Sequence, residues 1–181
     1  RGLGDVYKRQ LALYQRLHGC PEQQGERATS PFVATQSAVL IVRDIPTYFR
    51  QRSNSLPKLS ELVNVLIEAQ PGRYLIAFAS YSYLNMFAQQ HSPVGHVFRI
   101  QSSGERAEEL QQHKRFVMGE PSVVFGVVMG GSFSESIEFG EGKLSGVIVV
   151  GIGLPPPSLE GDLTAQYFDE NAGEGWGQMV A

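Results

Sequence analysis

Glycines, serines and acids cluster in one short loop, the segment "GGSFSESIEF" that begins at Gly130. Adjacent glycines let a backbone approach a ligand closely or adopt a positive φ. The hydroxyls and carboxylates beside them supply hydrogen-bonding groups, and such a loop at a sheet edge suits an anion. The candidate binding residues are Gly131, Ser132, Glu135, Ser136 and Glu138. The alternative is that these groups only satisfy the backbone of their own loop.

A second candidate site follows the apolar run "YLIAFA", where Ser80 and Tyr81 stand. A hydroxyl can bind a phosphate oxygen, and an aromatic ring can stack on a nucleic-acid base for about 1–3 kcal/mol. The alternative for Tyr81 is partial burial against the helix that follows. Tyr83 and Phe87 lie four positions apart in that helix, and we expect them in the core.

Basic side chains are scattered, and each could neutralise a phosphate. Arg50 and Arg52 form the best candidate pair, whereas isolated arginines are more often solvated. The other basic candidates are Arg43, Arg73 and the run from His113 to Arg115. The four histidines lack metal-ligand spacing, and the loop serines lie outside a G-x-S-x-G turn, so neither a zinc site nor a serine hydrolase is supported.

Strands alternate with helices along the chain, and most strands are continuous apolar runs. Such runs predict a mostly parallel sheet that is flanked by helices on both faces, an α/β fold. Ligands of such sheets bind beyond the carboxyl ends of the strands. We therefore expect the turns near positions 80 and 132 to open side by side. The predicted strands are residues 38–42, 73–80, 96–102, 122–130 and 144–153; the predicted helices are residues 11–19, 56–72, 83–90, 104–116 and 159–170, with an irregular segment over 45–55.

The totals fit one compact domain. The chain has 181 residues, 42% of them hydrophobic, a net charge of −3 and a single cysteine, Cys20. The net charge of −3 gives the chain no overall attraction to nucleic acid. The lone cysteine excludes an internal disulfide. No apolar run reaches membrane-spanning length, and the charged first residues do not resemble a signal peptide. Together with the single cysteine, this makes a cytoplasmic protein the simplest expectation. Residues 1–10 look like translated adaptor text, and residues 11–37 are expected to form an entry helix and linker.

Three segments carry a resemblance to a known family. "GGSFSESIEF" with the following "LSGVIVVGIGLPPPS" resembles motif V and the next strand of DinG-type DNA helicases, which are relatives of XPD in helicase superfamily two. "PGRYLIAFASYSYLNMF" resembles the family's motif IV region, and "SPFVATQSAVLIVRDIPTYFRQRSNSL" resembles its entry segment. The likeness runs from about Ser30 to Trp176.

The resemblance implies that residues 38–181 are the second RecA-like domain of an ATP-dependent DNA helicase, a P-loop NTPase-type fold without its own P-loop. In such enzymes ATP and Mg²⁺ lie between two RecA-like domains, and single-stranded DNA crosses both. The missing first domain would be a partner and could hold an iron–sulfur cluster. The sequence contains no G-x-x-x-x-G-K-[ST] loop, and it ends before motif VI with its arginine finger. We therefore expect this chain to be inactive alone.

The loop departs from the family pattern at three positions: Ser134 replaces an aromatic residue, Ser136 a glycine and Glu138 an aspartate. By resemblance, Ser132 and Glu135 would couple the nucleotide cleft to the DNA track, and Glu138 would face the nucleotide. The competing interpretation is a non-catalytic α/β module that binds a nucleotide or phosphorylated ligand through loop 130–138.

Overall fold

A computed structural model describes Gly19, Thr35, residues 38–131, Phe133, Phe139 and residues 144–153 and 158–172. The chain divides into two compact units, Arg1–Val42 and Arg43–Ala181. All helices and strands given below belong to the second unit. Apart from its last residue, Gly19, the predicted helix over 11–19 lies outside the described residues.

Four described strands form one parallel sheet in the order β2-β3-β1-β4. The strands are β1 (Arg73–Phe78), β2 (Val97–Ile100), β3 (Val123–Val128) and β4 (Gly146–Val150). Strand β1 pairs with β3 on one side and with β4 on the other, and every described pairing is parallel. The predicted parallel α/β sheet is therefore confirmed, and each strand lies within its predicted range.

Four of the helices in the described residues cover the sheet or follow it. They are α1 (Arg52–Ala69), α2 (Tyr81–Gln90), α3 (Ala107–Gly119) and α4 (Leu159–Ala172), and a 3₁₀ turn, Phe49–Gln51, precedes α1. Local chemistry sets their starts. Ser80 caps α2 through its side chain, and the Glu109 carboxylate accepts a 2.7 Å hydrogen bond from the Arg106 N–H ahead of α3.

The two faces of the sheet carry separate cores, because successive side chains of a strand point to opposite faces. From β1, Ile76 and Phe78 enter the core beneath α1 and α2, whereas Leu75 and Ala77 enter the core that also holds Val117 of α3. The central strands β1 and β3 are almost completely buried. Burial on both faces of the sheet therefore explains the continuous apolar sequences of these two strands, as expected.

The edge strand β4 differs from that expectation. Its sequence is also continuously apolar, yet Val147 and Val149 are 58% and 61% exposed while Val150 is buried. A continuous apolar run therefore indicates burial on both faces in the central strands only. The sequence pattern does not distinguish a central strand from an edge strand.

The predicted strand over residues 38–42 is wrong, because these residues are irregular. Val39 and Ile41 are 85% and 75% exposed. Strand preference reflects how well a β-branched side chain packs on a half-buried sheet surface, and these side chains have no such burial. Composition alone predicted a strand that packing does not support.

Helix α1 begins earlier than predicted, because Arg52 to Ser55 are helical instead of irregular. The Arg52 guanidinium lies 4.6 Å from the centre of the Tyr83 ring, and its Nε donates to the Thr47 carbonyl over 3.2 Å. These tertiary contacts fix the first turn. Within the helix, Leu59, Val63 and Ile67 form a buried stripe.

A histidine pair lies between α1 and the end of α2. The buried His91 shares a 2.7 Å hydrogen bond with the Ser60 hydroxyl through Nδ1, and its Nε2 lies 3.2 Å from Nε2 of His96. Its ring stacks on Phe87 at 4.8 Å. Burial, and secondarily the neighbouring His96, lower the pKa of His91 to about 4. His91 is therefore neutral in the core at pH 7.

Gly126 in β3 has no room for a side chain. A Cβ there would lie 2.6 Å from a Leu84 methyl carbon and 2.8 Å from Cγ2 of Ile100. Because Leu84 is fully buried, we expect Gly126→Ala to lower the free energy of unfolding by about 1–3 kcal/mol, measured by urea denaturation. The matched control is Gly119→Ala, where a Cβ meets nothing within 4 Å; this helical position should be unchanged or slightly stabilised. Equal effects at both positions would contradict the packing argument.

Candidate functional site at the carboxyl edge of the sheet

The turns after β1 and β3 leave the same edge of the sheet side by side. Phe78 and Val128, the last residues of these adjacent parallel strands, pair in register. The next N–H of the β3 strand, that of Met129, donates to the Phe78 carbonyl over 2.9 Å. Ser80 and Tyr81 follow one strand, and Gly130 and Gly131 follow the other. The expected juxtaposition of the two turns is confirmed.

Gln101, just after β2, brings the two turns into contact. Its Nε2 donates to the Tyr81 hydroxyl over 2.7 Å, and its Oε1 accepts from the Val128 N–H over 3.3 Å. The side chain is buried. Sequence reasoning missed Gln101, although the signal used for Ser80 applies to it equally: a polar residue directly after a strand of a parallel sheet.

The glycines of the β3 turn have the geometry that was expected of them. Gly130 has a φ of +71°, a region that favours glycine. A Cβ on Gly131 would lie 3.0 Å from the Val128 carbonyl oxygen, 3.4 Å from Nε2 of Gln101 and 3.8 Å from the Tyr81 hydroxyl. The Gly131 backbone therefore packs directly against the Gln101–Tyr81 pair.

The rest of this loop is described at two positions. Phe133 is buried, with its ring 4.7 Å from that of Phe125 in β3 and 5.8 Å from that of Phe139. These contacts attach the loop to the core beneath α3. The candidates Ser132, Glu135, Ser136 and Glu138 lie outside the described residues, so their roles stay predictions.

Ser80 and Tyr81 begin helix α2 at the edge of the sheet. The Ser80 hydroxyl accepts a 3.3 Å hydrogen bond from the Tyr83 N–H, so one of its lone pairs serves as the helix cap. Tyr81 is half-buried and packs against the core, as its alternative interpretation stated, while Tyr83 and Phe87 are core residues. A helix start presents free N–H groups and a partial positive charge, which favour an anion.

The basic candidates divide into exposed and engaged groups. Arg50 is exposed. Arg52 is half-buried, and its guanidinium lies over the ring of Tyr83, which is in the first turn of α2 together with Tyr81.

Arg73 is used within the fold, since its Nε and Nη2 donate to the Val117 and Met118 carbonyls at the end of α3. His113 is likewise engaged, 3.0 Å from a Glu105 carboxylate oxygen. Arg52 is engaged as well, since its Nε donates to the Thr47 carbonyl, and the phosphate contacts expected of Arg50 and Arg52 stay predictions.

The described residues contain neither a metal-binding cluster nor a helix that could cross a membrane. None of their His, Cys, Asp and Glu side chains come together in a group of three or more that could hold a metal ion. No described helix combines the length and the apolar character that crossing a bilayer requires.

A parallel sheet with helices on both faces, and with paired turns at its carboxyl edge, is consistent with a RecA-like α/β domain. The profile of the family described as "Helicase C-terminal domain" matches residues 63–181. The chain belongs to this helicase C-terminal domain family. Comparison with curated proteins gives no significant match.

Solved structures of similar fold bear XPD names. A chain titled "XPD_Helicase" is 22% identical with a TM-score of 0.53, and the match covers 68% of this chain and 22% of that one. A second, titled "XPD_APO", is 23% identical with a TM-score of 0.53, and covers 68% of this chain and 25% of that one. A third, from S. tokodaii and titled as its Xpd4, is 17% identical with a TM-score of 0.48, over 76% of this chain and 26% of the other. The match thus spans about a quarter of these chains.

Proposed function

We propose that this chain is the second RecA-like domain of a DinG-type, ATP-dependent DNA helicase, which moves along single-stranded DNA as ATP is hydrolysed. The observation that carries the proposal is the pairing of the turns after β1 and β3, which the Gln101 side chain joins through hydrogen bonds to the Tyr81 hydroxyl and the Val128 N–H. The match to the helicase C-terminal domain family supports it. ATP and Mg²⁺ would bind between this domain and a first RecA-like domain, which would also carry any iron–sulfur cluster.

The DNA-binding part of the proposal uses the start of α2. The Tyr81 ring would stack on a base, and the α2 start with the Ser80 hydroxyl would bind a phosphate. Arg50 and Arg52 would add phosphate contacts. Arg52 already stacks on Tyr83, so it would approach DNA as a positioned group with little rotamer freedom left to lose.

The nucleotide part of the proposal uses the loop after β3. Ser132 and Glu135 would form hydrogen bonds that link the ATP cleft to the DNA track. Glu138 would accept a hydrogen bond from the nucleotide. Phosphoryl transfer depends mainly on positioning and on stabilising charge, so small shifts of such groups change the rate. Gly131 at one end and the buried Phe133 within the loop attach it to the sheet. Movement of the loop would therefore be transmitted to the whole domain.

The test uses the complete protein that contains this chain. We expect single-stranded DNA to stimulate its ATP hydrolysis, and Glu135→Gln to remove most of that stimulation while ATP still binds. Glu68→Gln, an exposed position on α1, is the matched control and should behave as the wild type. Stimulated rates that are unchanged in Glu135→Gln would remove the coupling role of Glu135.

A stand-alone nucleotide-binding module is the competing function, and the positive φ of Gly130 together with the crowding at Gly131 is compatible with it. The two functions differ in their response to DNA. A complete protein that binds ATP but neither hydrolyses it nor binds single-stranded DNA would favour the module and contradict the helicase.

A further inference from the structure

We infer that Gln101 is a positioning residue that orients the Tyr81 hydroxyl toward single-stranded DNA and ties it to the nucleotide-side turn at Gly131. The inference rests on the proposed function. Gln101 lies outside the segments that resemble helicase motifs, and its buried side-chain amide forms two hydrogen bonds.

The orientation of the Gln101 amide is fixed by the backbone. The Val128 N–H can only donate, so the group 3.3 Å from it must be the amide oxygen Oε1. The amide nitrogen Nε2 then faces the Tyr81 hydroxyl at 2.7 Å, and it can only donate. Tyr81 therefore accepts this hydrogen bond.

A phenol that accepts from one side keeps its own O–H for another partner. Because Gln101 occupies the inner side of the Tyr81 hydroxyl, the Tyr81 proton is directed away from the amide. Tyr81 is half-buried, so part of it still reaches solvent at the edge of the sheet. The arrangement offers an O–H donor to an acceptor of the ligand, such as a phosphate oxygen or a base carbonyl.

Gln101 joins three elements: the end of β2, where it lies, and its partners in β3 and α2. The backbone N–H of Gln101 donates to the Gly126 carbonyl over 2.9 Å, its Oε1 holds the last residue of β3, and its Nε2 holds the first residue of α2. A Cβ on Gly131 would lie 3.4 Å from Nε2. A displacement of the Gly131 turn would therefore press on the group that positions Tyr81.

The experiment is a double-mutant cycle in the complete protein, with binding of a fluorescein-labelled oligothymidine and DNA-stimulated ATP hydrolysis as readouts. Gln101→Met keeps the side-chain length and removes both hydrogen bonds. We expect it to raise the dissociation constant and the DNA concentration for half-maximal stimulation by about five- to tenfold. Tyr81→Phe should have a similar effect, because it removes the O–H that Gln101 orients.

The decisive result is how the two effects combine. If Gln101 acts through the Tyr81 hydroxyl, the double variant Gln101→Met/Tyr81→Phe should bind no more weakly than either single variant. Gln112→Met, at an exposed position on α3, is the matched control and should bind as the wild type. If Gln101 had a purely structural role, the losses of DNA affinity in the two single variants would add in the double variant, because each change would then weaken binding independently of the other.

Each failure has its own signature. Wild-type oligothymidine binding by Gln101→Met, or additive effects in the cycle, would overturn the positioning role and leave the helicase proposal in place. Absence of oligothymidine binding by the wild-type protein would overturn both. If Gln101→Met does not fold, unchanged affinity in Tyr81→Phe still overturns the positioning role, because the hydroxyl then has no role in DNA binding.

Discussion

Phe125→Ala is expected to lower the free energy of unfolding of this chain by about 3–5 kcal/mol. Phe125 is fully buried on β3, and its ring lies 4.7 Å from Phe133 and 4.9 Å from His113. Removing the ring leaves a cavity in the middle of the core beneath α3, and the rigid neighbours on the sheet cannot close it. The measurement is urea denaturation at pH 7 followed by circular dichroism.

The matched control for this prediction is Phe49→Ala. Phe49 is 81% exposed and contacts the Arg52 guanidinium 5.4 Å from its ring centre, so its loss should cost about 1 kcal/mol or less. A Phe125→Ala variant as stable as Phe49→Ala would contradict the described core. Because Phe125 also supports Phe133, we further expect the variant to weaken the attachment of the loop after β3.

The second large effect is a loss of stability in acid that originates at His91. Burial, and then His96, lower its pKa in the folded state from 6.5 to about 4. The unfolded chain therefore binds more protons between these two values, and the stabilising contribution is complete above about pH 6.5 and is lost as the pH falls toward 4. The loss is about 3 kcal/mol over that window, measured as unfolding free energy in a pH series.

Comparison with His91→Phe isolates this histidine from the other titrating groups. Phenylalanine does not titrate and can keep an aromatic stack on Phe87. The stability of the variant relative to the wild type should therefore rise as the pH falls below 6.5. His96→Gln should retain most of the wild-type slope, because burial is the larger cause of the lowered pKa. Parallel pH curves for wild type and His91→Phe would rule out the buried neutral histidine.

The candidate site was predictable from the sequence only in part. A polar residue after a buried parallel strand is a local signal, and it correctly placed Ser80 and Tyr81 beside Gly131. The same signal at Gln101 was overlooked. Whether a polar group is free or engaged could not be read in this way, because its partners come from other elements. Arg52, for instance, stacks on a tyrosine 31 positions further along the chain.

Apart from residues 38–42 and the first turn of α1, local sequence determined the kinds of elements and their parallel arrangement, because apolar periodicity and apolar runs record which side chains must leave water. It also carried the likeness to the helicase C-terminal domain. Tertiary structure alone decided which polar groups pair, as in the Ser60–His91 and Gln101–Tyr81 hydrogen bonds, and which apolar runs remain exposed, as in residues 38–42 and β4. The physical reason is that burial preference is a property of each segment, whereas a hydrogen-bond partner or a packing surface exists only after distant segments have come together.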